Sequence, residues 1–312
     1  MKFLYYLKGL FTLLIPSNLF GIRYDLFIKK HYPKYESSDL IFRLNYYNKL
    51  KENKTLSLSA KKLASHKLKN ANFSKVYFFD TNEITRYFPK NLFWKFKAGD
   101  ITSLQEEATI VKSRPIREDN ENSVLLKLNK IRHFIFVNDK TKFKEKTPKI
   151  LFRGAAHGKP NRQKFIEMYV NNPMCDVKDT AKDSINPKQW QSKHLSLKEQ
   201  LRFKYIMAIE GNDVASNLKW IMSSNSIAVM PRPKYETWFM EGCLIPDYHY
   251  IEIKEDFSDL IERITYYEKN PDKALQIIKN ANEYVKPFKD KKREKLISLL
   301  VMKKYFEKTG QL

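Results

Sequence analysis

The sequence predicts an α/β protein whose second half is a doubly wound parallel sheet. Three observations point there. The chain has 312 residues, enough for two domains. Its composition, 42% hydrophobic and 14% aromatic, can build a core and escape disorder. From about residue 148 onward, strand-like apolar runs alternate with helical periods, the pattern of a parallel sheet covered by helices.

The N-terminal MKFLYYLKGLFTLLIP has the apolar run of an export signal but no small-residue cleavage site, and Pro16 and the charged Arg23-Tyr24-Asp25 follow it. It is read as a retained, aromatic-rich helix. With Lys2 and Lys8 beside Phe3, Leu4, Leu7, Leu10, Phe11 and Leu14, that helix either packs on the protein or lies on a bilayer surface. The basic stretches KLKENK and SAKKLASHKLK come next. KVYFFD, from Lys75 to Asp80, reads as a short strand, and TIVKSRPI as a strand running into a loop. NSVLLKLNKIRHFIFVND reads as a helix or an extended pair, and the polar KTKFKEKTPK marks a domain boundary, giving domains 1–147 and 148–312.

In the second half, KILFRG is a strand into a turn, and NRQKFIEMYV has helical spacing with Phe165, Met168 and Tyr169 on one side. A helix through SLKEQLRFKY leads into the strand YIMAIEG, and DVASNLKWIMSS reads as a helix with Asp213 as its cap. SIAVMPRP and HYIEI are strands; DFSDLIERITYYEKN, PDKALQIIKNANEYV and the segment from Asp290 to Lys308 are helices. In such βαβαβ sheets ligands bind at the carboxyl ends of the strands.

Charge gives the first functional indication: 58 Lys plus Arg less 35 Asp plus Glu leaves +23. That excess favours an anionic partner, whether nucleic acid, an anionic membrane or a phosphorylated molecule. Neither a helix-turn-helix nor an RNP-like strand is present to read nucleic acid. Cys175 and Cys243 match no zinc spacing and read as unpaired thiols in a reducing compartment. No uncharged apolar run reaches the length of about 20 residues needed to span a bilayer.

Three constellations carry candidate chemistry. Arg153 leaves a strand ahead of Gly154, with Arg162 on the following helix, an arrangement suited to a phosphate clamp or to an ordinary arginine pair. EGNDVASNLKW sets the turn Gly211-Asn212-Asp213 before Ser216, Asn217 and Lys219, where helix-start N–H groups and an ammonium would attract a pyrophosphate; a well-capped helix is the plainer reading. It is neither a GxGxxG nor a Walker A loop. PRPKYETWFMEGCLIPDYHY combines rings with Glu236, Glu241 and His249, which suits a sugar site or a packed aromatic corner.

In order and spacing, these pieces resemble glycosyltransferase family 90, which contains bacterial lipopolysaccharide core transferases of the LpsA type, fungal capsule xylosyltransferases and animal protein O-glucosyltransferases. The matching segments are FRG with Arg162, LRFKYIMAIEGNDVASNLKWIMSSNS, YETWF and LIPDYHYIEIKEDFSDL. Toward the LpsA-like branch the resemblance extends back through AGDITSLQEEATIVKSRPI and NSVLLKLNKIRHFIFV, covering roughly residues 75 to 290. It implies a GT-B type fold, with two Rossmann-like domains and the nucleotide held mainly by the C-terminal one. It also implies an inverting transferase that uses a UDP-sugar without a metal or other cofactor. Arg153, Gly154, Arg162, Ser216, Asn217 and Lys219 then fall on the donor side, with Gly211, Asn212, Asp213 and Glu236 counted with them. The animal branch carries an arginine near Asn217 that this chain lacks. Inversion needs a carboxylate to deprotonate the acceptor hydroxyl. Asp100 stands where relatives carry their candidate base, and Asp80 is its rival; His249 as the base is the less expected choice.

The reading is a cytoplasmic enzyme, peripheral to the inner membrane, that moves glucose or galactose from a UDP-hexose to a lipopolysaccharide or lipooligosaccharide core acceptor. An anionic membrane surface is an expected partner and nucleic acid is not. The alternatives are a basic nucleic-acid-binding protein and a non-catalytic, membrane-associated partner protein.

Overall fold

The structure, a computed structural model, describes residues 2–15, 18–70 and 73–312; Pro16 lies outside them. In chain order its elements are α1 (Lys2–Leu13), α2 (Asn18–His31), α3 (Ser37–Tyr47), β1 (Lys61–Lys62), α4 (Lys75–Thr85), β2 (Phe93–Trp94), β3 (Thr109–Val111), β4 (Ser113–Pro115), β5 (Ser123–Leu125) and α5 (Lys130–His133). There follow β6 (Thr147–Gly154), α6 (Pro160–Tyr169), β7 (Cys175–Asp179), α7 (Leu197–Gln200), β8 (Phe203–Met207), α8 (Leu218–Met222) and β9 (Ile227–Met230). The last are β10 (Tyr235–Thr237), β11 (Ile251–Glu252), α9 (Leu260–Lys269), α10 (Pro271–Val285) and α11 (Lys291–Lys308).

Two compact units result, one of Met1–Phe134, Tyr235–Phe239 and Phe288–Leu312, the other of Ile135–Lys234 and Met240–Pro287. The chain thus leaves the first unit ahead of the polar segment read as a boundary, and it returns twice. Both returns follow from packing. Trp238 stacks on Tyr47 with ring centroids 3.7 Å apart. α11 buries a broad face through Leu296, Ile297, Leu299, Val301, Met302, Tyr305 and Phe306 and leaves Lys303 and Glu307 in solvent, so it packs as a core helix of the first unit. Asp290 caps it, accepting from the N–H groups of Lys292 and Arg293 at 2.9 and 3.1 Å.

Among the described residues, strands in the first unit are two or three residues long and pair in twos: β1 with β2, β4 with β10, and β3 with β5. KVYFFD is no strand but the first half of α4. Val76, Tyr77, Phe78, Phe79 and Asp80 are all buried, and a short apolar run enclosed on all sides shows neither the period of a strand nor that of a helix. NSVLLKLNKIRHFIFVND resolves into β5 and the single turn α5.

In the second unit five parallel strands lie in the order β7-β6-β8-β9-β11, the 2-1-3-4-5 order of a doubly wound sheet. β9, Ile-Ala-Val-Met, is buried along its whole length, as a central parallel strand covered on both faces requires. Ile150, Phe152, Val177, Tyr205, Met207 and Val229 of the sheet share a core with Phe165, Leu260, Ile264 and Ile277 of the helices. On α6 the buried set is Phe165, Ile166 and Tyr169, whereas Met168 is exposed. The helix expected through SLKEQLRFKY stops after one turn, because Phe203 already pairs with Thr147 of β6. α8 starts only at Leu218, so Asp213 lies upstream in a loop and does not cap it. Neither Cys175 nor Cys243 forms a disulfide, and burial pushes the thiol of Cys175 up to about 12, which disfavours its thiolate.

Candidate functional site

The order of strands in the second unit reverses between β6 and β8, so the loops leaving these strands diverge and open a crevice at their carboxyl ends. Arg162, in the first turns of α6, spans that crevice. Its guanidinium donates to the carbonyls of Ala155 after β6 (3.2 Å) and of Ile209 and Glu210 after β8 (2.9 and 3.2 Å). Gly211 makes room for it, since a Cβ there would sit 3.0 Å from Arg162 Nη2. The Asn217 amide donates to the carbonyl of Met207 at 2.9 Å, tying the far end of the loop to β8.

The loop after β6 is held from the other side by Asp179, at the end of β7. This buried carboxylate accepts from the backbone N–H groups of Ala156 (3.0 Å) and Ala181 (2.9 Å), from Asn186 Nδ2 (2.9 Å) and from the hydroxyl of Ser184. Burial alone would raise its pKa; the hydrogen bonds from Ser184, Ala181, Asn186 and Ala156 outweigh it and hold the group below the ordinary aspartate value. A carboxylate depressed on folding stabilises the protein above its unfolded pKa of about 4, and that contribution is lost as pH falls through the lower folded value. Asp179→Asn is therefore expected to flatten the acid limb of the stability profile, measured by urea unfolding between about pH 3 and 7. An unaltered acid limb would contradict this.

A cleft opens beside Arg162, floored by Ala208 and Ile209 at the end of β8, Met230 at the end of β9, and Val214, Ala215 and Leu218. Its mouth carries Arg232 and Lys234 from the loop after β9. Arg232 pairs with Glu252 and Lys234 with Glu255, both at 2.9 Å; both cations and Glu255 are solvent-exposed, and Glu252 is half-buried. Deeper in, Lys219 is fully buried and ion-paired with buried Glu241, which also lines the cleft.

Of the residues expected on the donor side, the structure gathers Arg162, Gly211 and Asn217 into one network around the crevice. Asn212, half-buried Ser216 and buried Asp213 lie in the same loop, and the carbonyl of Asp213 accepts from the Gly211 N–H at 3.1 Å. Gly154 closes β6 at the crevice. Arg153 is turned along the sheet to β7, where it donates to the carboxylate and carbonyl of Asp176 at 2.6 and 2.7 Å. Glu236 belongs to the other compact unit. It lies buried on β10, bonded to Arg114 Nε at 2.8 Å and to the hydroxyl of Tyr46. Sequence reasoning passed over Arg232 and Lys234; two cations directly after a buried parallel strand were the available signal.

The two candidate bases differ in access. Asp100, in the first unit, pairs with the buried ammonium of Lys112 while its side chain stays 24% exposed. Asp80 is 1% exposed. It accepts from the Tyr5 hydroxyl at 2.7 Å and the Lys130 N–H at 3.0 Å, and burial pushes its pKa above the usual carboxylate range. His249 is also buried; its Nδ1 accepts from the Ile245 N–H at 2.9 Å, and burial lowers its pKa. Among the described residues no group of three or more His, Cys, Asp or Glu is placed to hold a metal ion.

The sequence profile of glycosyl transferase family 90 matches residues 123–299, which take in all of the second unit and more than half of the chain. The chain belongs to glycosyl transferase family 90. This family 90 glycosyltransferase is 41% identical over 265 residues to O-glucosyltransferase LpsA of Dichelobacter nodosus, an overlap of 85% of this chain and 81% of that protein. It is 24% identical over 168 residues to Protein O-glucosyltransferase 3 of Homo sapiens, covering 52% of this chain and 32% of that protein. Among the described residues no helix is long and apolar enough to cross a membrane.

Proposed function

We propose that this family 90 glycosyltransferase moves a hexose from a UDP-sugar to a lipopolysaccharide or lipooligosaccharide core acceptor, with inversion and without a metal. The second unit serves as the Rossmann-like donor domain of a GT-B type enzyme, which works at the cytoplasmic face of an anionic membrane. Glucose is the first donor to offer, in view of the relative named O-glucosyltransferase; galactose is the second. The observation that carries the reading is the cleft at the strand-order reversal, with cations at its mouth.

In the transfer, the acceptor oxygen bonds to the anomeric carbon as its proton passes to a carboxylate. The bond from that carbon to the UDP oxygen breaks on the opposite face, and the diphosphate leaves with the electron pair. Asp100 is the proposed base, because its side chain keeps partial solvent access where that of Asp80 is enclosed. The leaving diphosphate needs positive charge. Arg162 is committed to three backbone carbonyls, and the side chains of Arg153 and Lys219, 7 and 0% exposed, are committed to Asp176 and Glu241. Arg232 and Lys234 are solvent-exposed and pair with Glu252 and Glu255 at the surface; such pairs are worth at most about 1 kcal/mol, so a diphosphate competes for the two cations at small cost.

The double variant Arg232→Ala/Lys234→Ala is accordingly expected to bind UDP about ten- to a hundredfold more weakly in calorimetric titration, with little change in melting temperature. Wild-type UDP affinity in this variant would remove the two residues from the donor site. The nucleic-acid-binding alternative predicts instead tight, steeply salt-dependent association with single-stranded RNA and no heat with UDP.

A further inference from the structure

α1 is apolar on two sides. One side packs on α4: the rings of Tyr5 and Tyr6 meet Phe79 edge-on with centroids 6.3 and 5.8 Å apart, and the Tyr5 hydroxyl donates to Asp80 and to the Val76 carbonyl. Gly9 permits this approach, since a Cβ there would lie 2.5 Å from the Phe79 ring. The opposite side faces water. Phe3, Leu4, Leu7, Leu10, Phe11 and Leu14 follow the helical repeat, and Phe3, Phe11 and Leu14 are 74, 60 and 77% exposed. The helix thus half-buries its tyrosines and presents a stripe of leucine and phenylalanine to water, an arrangement that water alone disfavours.

An exposed cation accompanies the stripe: Lys8 is on α1 itself, and the exposed Lys29 and Lys30 of α2 add positive charge to the same compact unit. A surface both apolar and cationic matches an anionic bilayer. A second copy of the chain fits poorly, because each carries a net charge of +23. Twelve helical residues extend about 18 Å, short of the hydrocarbon thickness of about 30 Å, so the helix can lie in the interface but cannot cross it.

We infer that the Phe3–Leu4–Leu7–Leu10–Phe11 face of α1, continued by Leu14 just past its end, is a membrane-docking surface that inserts into the headgroup region of an anionic bilayer, with Lys8 against the lipid phosphates. It rests on the transferase reading only for its purpose, which is to hold the enzyme beside a lipid-linked acceptor. The test is cosedimentation with vesicles of phosphatidylcholine, with and without phosphatidylglycerol, in the absence of any sugar nucleotide. Its outcome is therefore independent of whether transfer occurs.

Wild-type protein is expected to sediment with the anionic vesicles and more weakly with neutral ones. Leu7→Glu/Phe11→Glu is expected to lower the partition coefficient about a hundredfold or more, with melting temperature and UDP affinity unchanged. Should that pair lower the melting temperature, Phe3→Glu/Leu14→Glu, at more exposed positions, carries the test. Three results would overturn the inference: no binding of wild type to anionic vesicles, equal binding by the folded variant, or a concentration-dependent dimer that the same substitutions abolish.

Discussion

Asp100→Asn is expected to lower turnover by about a hundred- to ten-thousandfold while leaving UDP affinity unchanged. Asparagine keeps the volume of the side chain but cannot accept the proton of the acceptor hydroxyl. The donor cleft lies in the second unit and Asp100 in the first, so the substitution leaves every residue of the cleft in place. Lys112 loses a carboxylate partner, which costs some stability, and the comparison is best made well below the melting temperature of both proteins. The control is Asp80→Asn. That side chain is enclosed by Tyr5 and Lys130, and its loss is expected to lower stability and to spare turnover per folded molecule. Steady-state kinetics with UDP calorimetry separates the two cases. Undiminished turnover in Asp100→Asn would place the base elsewhere.

Glu294→Gln is expected to destabilise the protein by about 3–5 kcal/mol, a fall in melting temperature on the order of 10 °C. Glu294 is buried on α11 and answers two cations, Arg43 and Lys127, each at 2.7 Å, and the indole N–H of Trp238 at 2.7 Å. Burial pushes its pKa up, but the charges of Lys127 and Arg43 outweigh that and hold it below the usual glutamate value. The carboxylate therefore stabilises the fold above the unfolded pKa of about 4.3, and its contribution is lost as pH falls below that. Glutamine leaves both buried cations without this carboxylate at any pH. Thermal unfolding at neutral pH measures the loss; an unchanged melting temperature would show that the trio contributes nothing.

The donor half of the fold was legible because its strands, KILFRG and SIAVMPRP among them, are apolar runs that end abruptly in glycine, arginine or proline. The reversal of strand order brings Arg162, Gly211 and Asn217 together; in the sequence they belong to two separate segments, and only the resemblance to the family grouped them. Residues whose neighbours come from distant segments could not be read. Glu236 reads as a donor-side residue because it shares the ring- and carboxylate-rich segment PRPKYETWFMEGCLIPDYHY with Glu241 and His249, yet β10 pairs with β4 and takes Glu236 to Arg114. KVYFFD was misread for a related reason: its burial on all sides comes partly from α1, and no local pattern records that. α8 proved shorter than its sequence period because Asn217 is engaged with the end of β8 and not with capping a longer helix.

The most direct test of the central claim is a UDP-release assay on the purified protein with EDTA present, offering UDP-glucose and UDP-galactose in turn with a deep-core lipooligosaccharide acceptor. The account predicts acceptor-dependent release of UDP with one donor, most readily UDP-glucose, undiminished by the chelator. No release with either donor, together with no UDP binding, would contradict it.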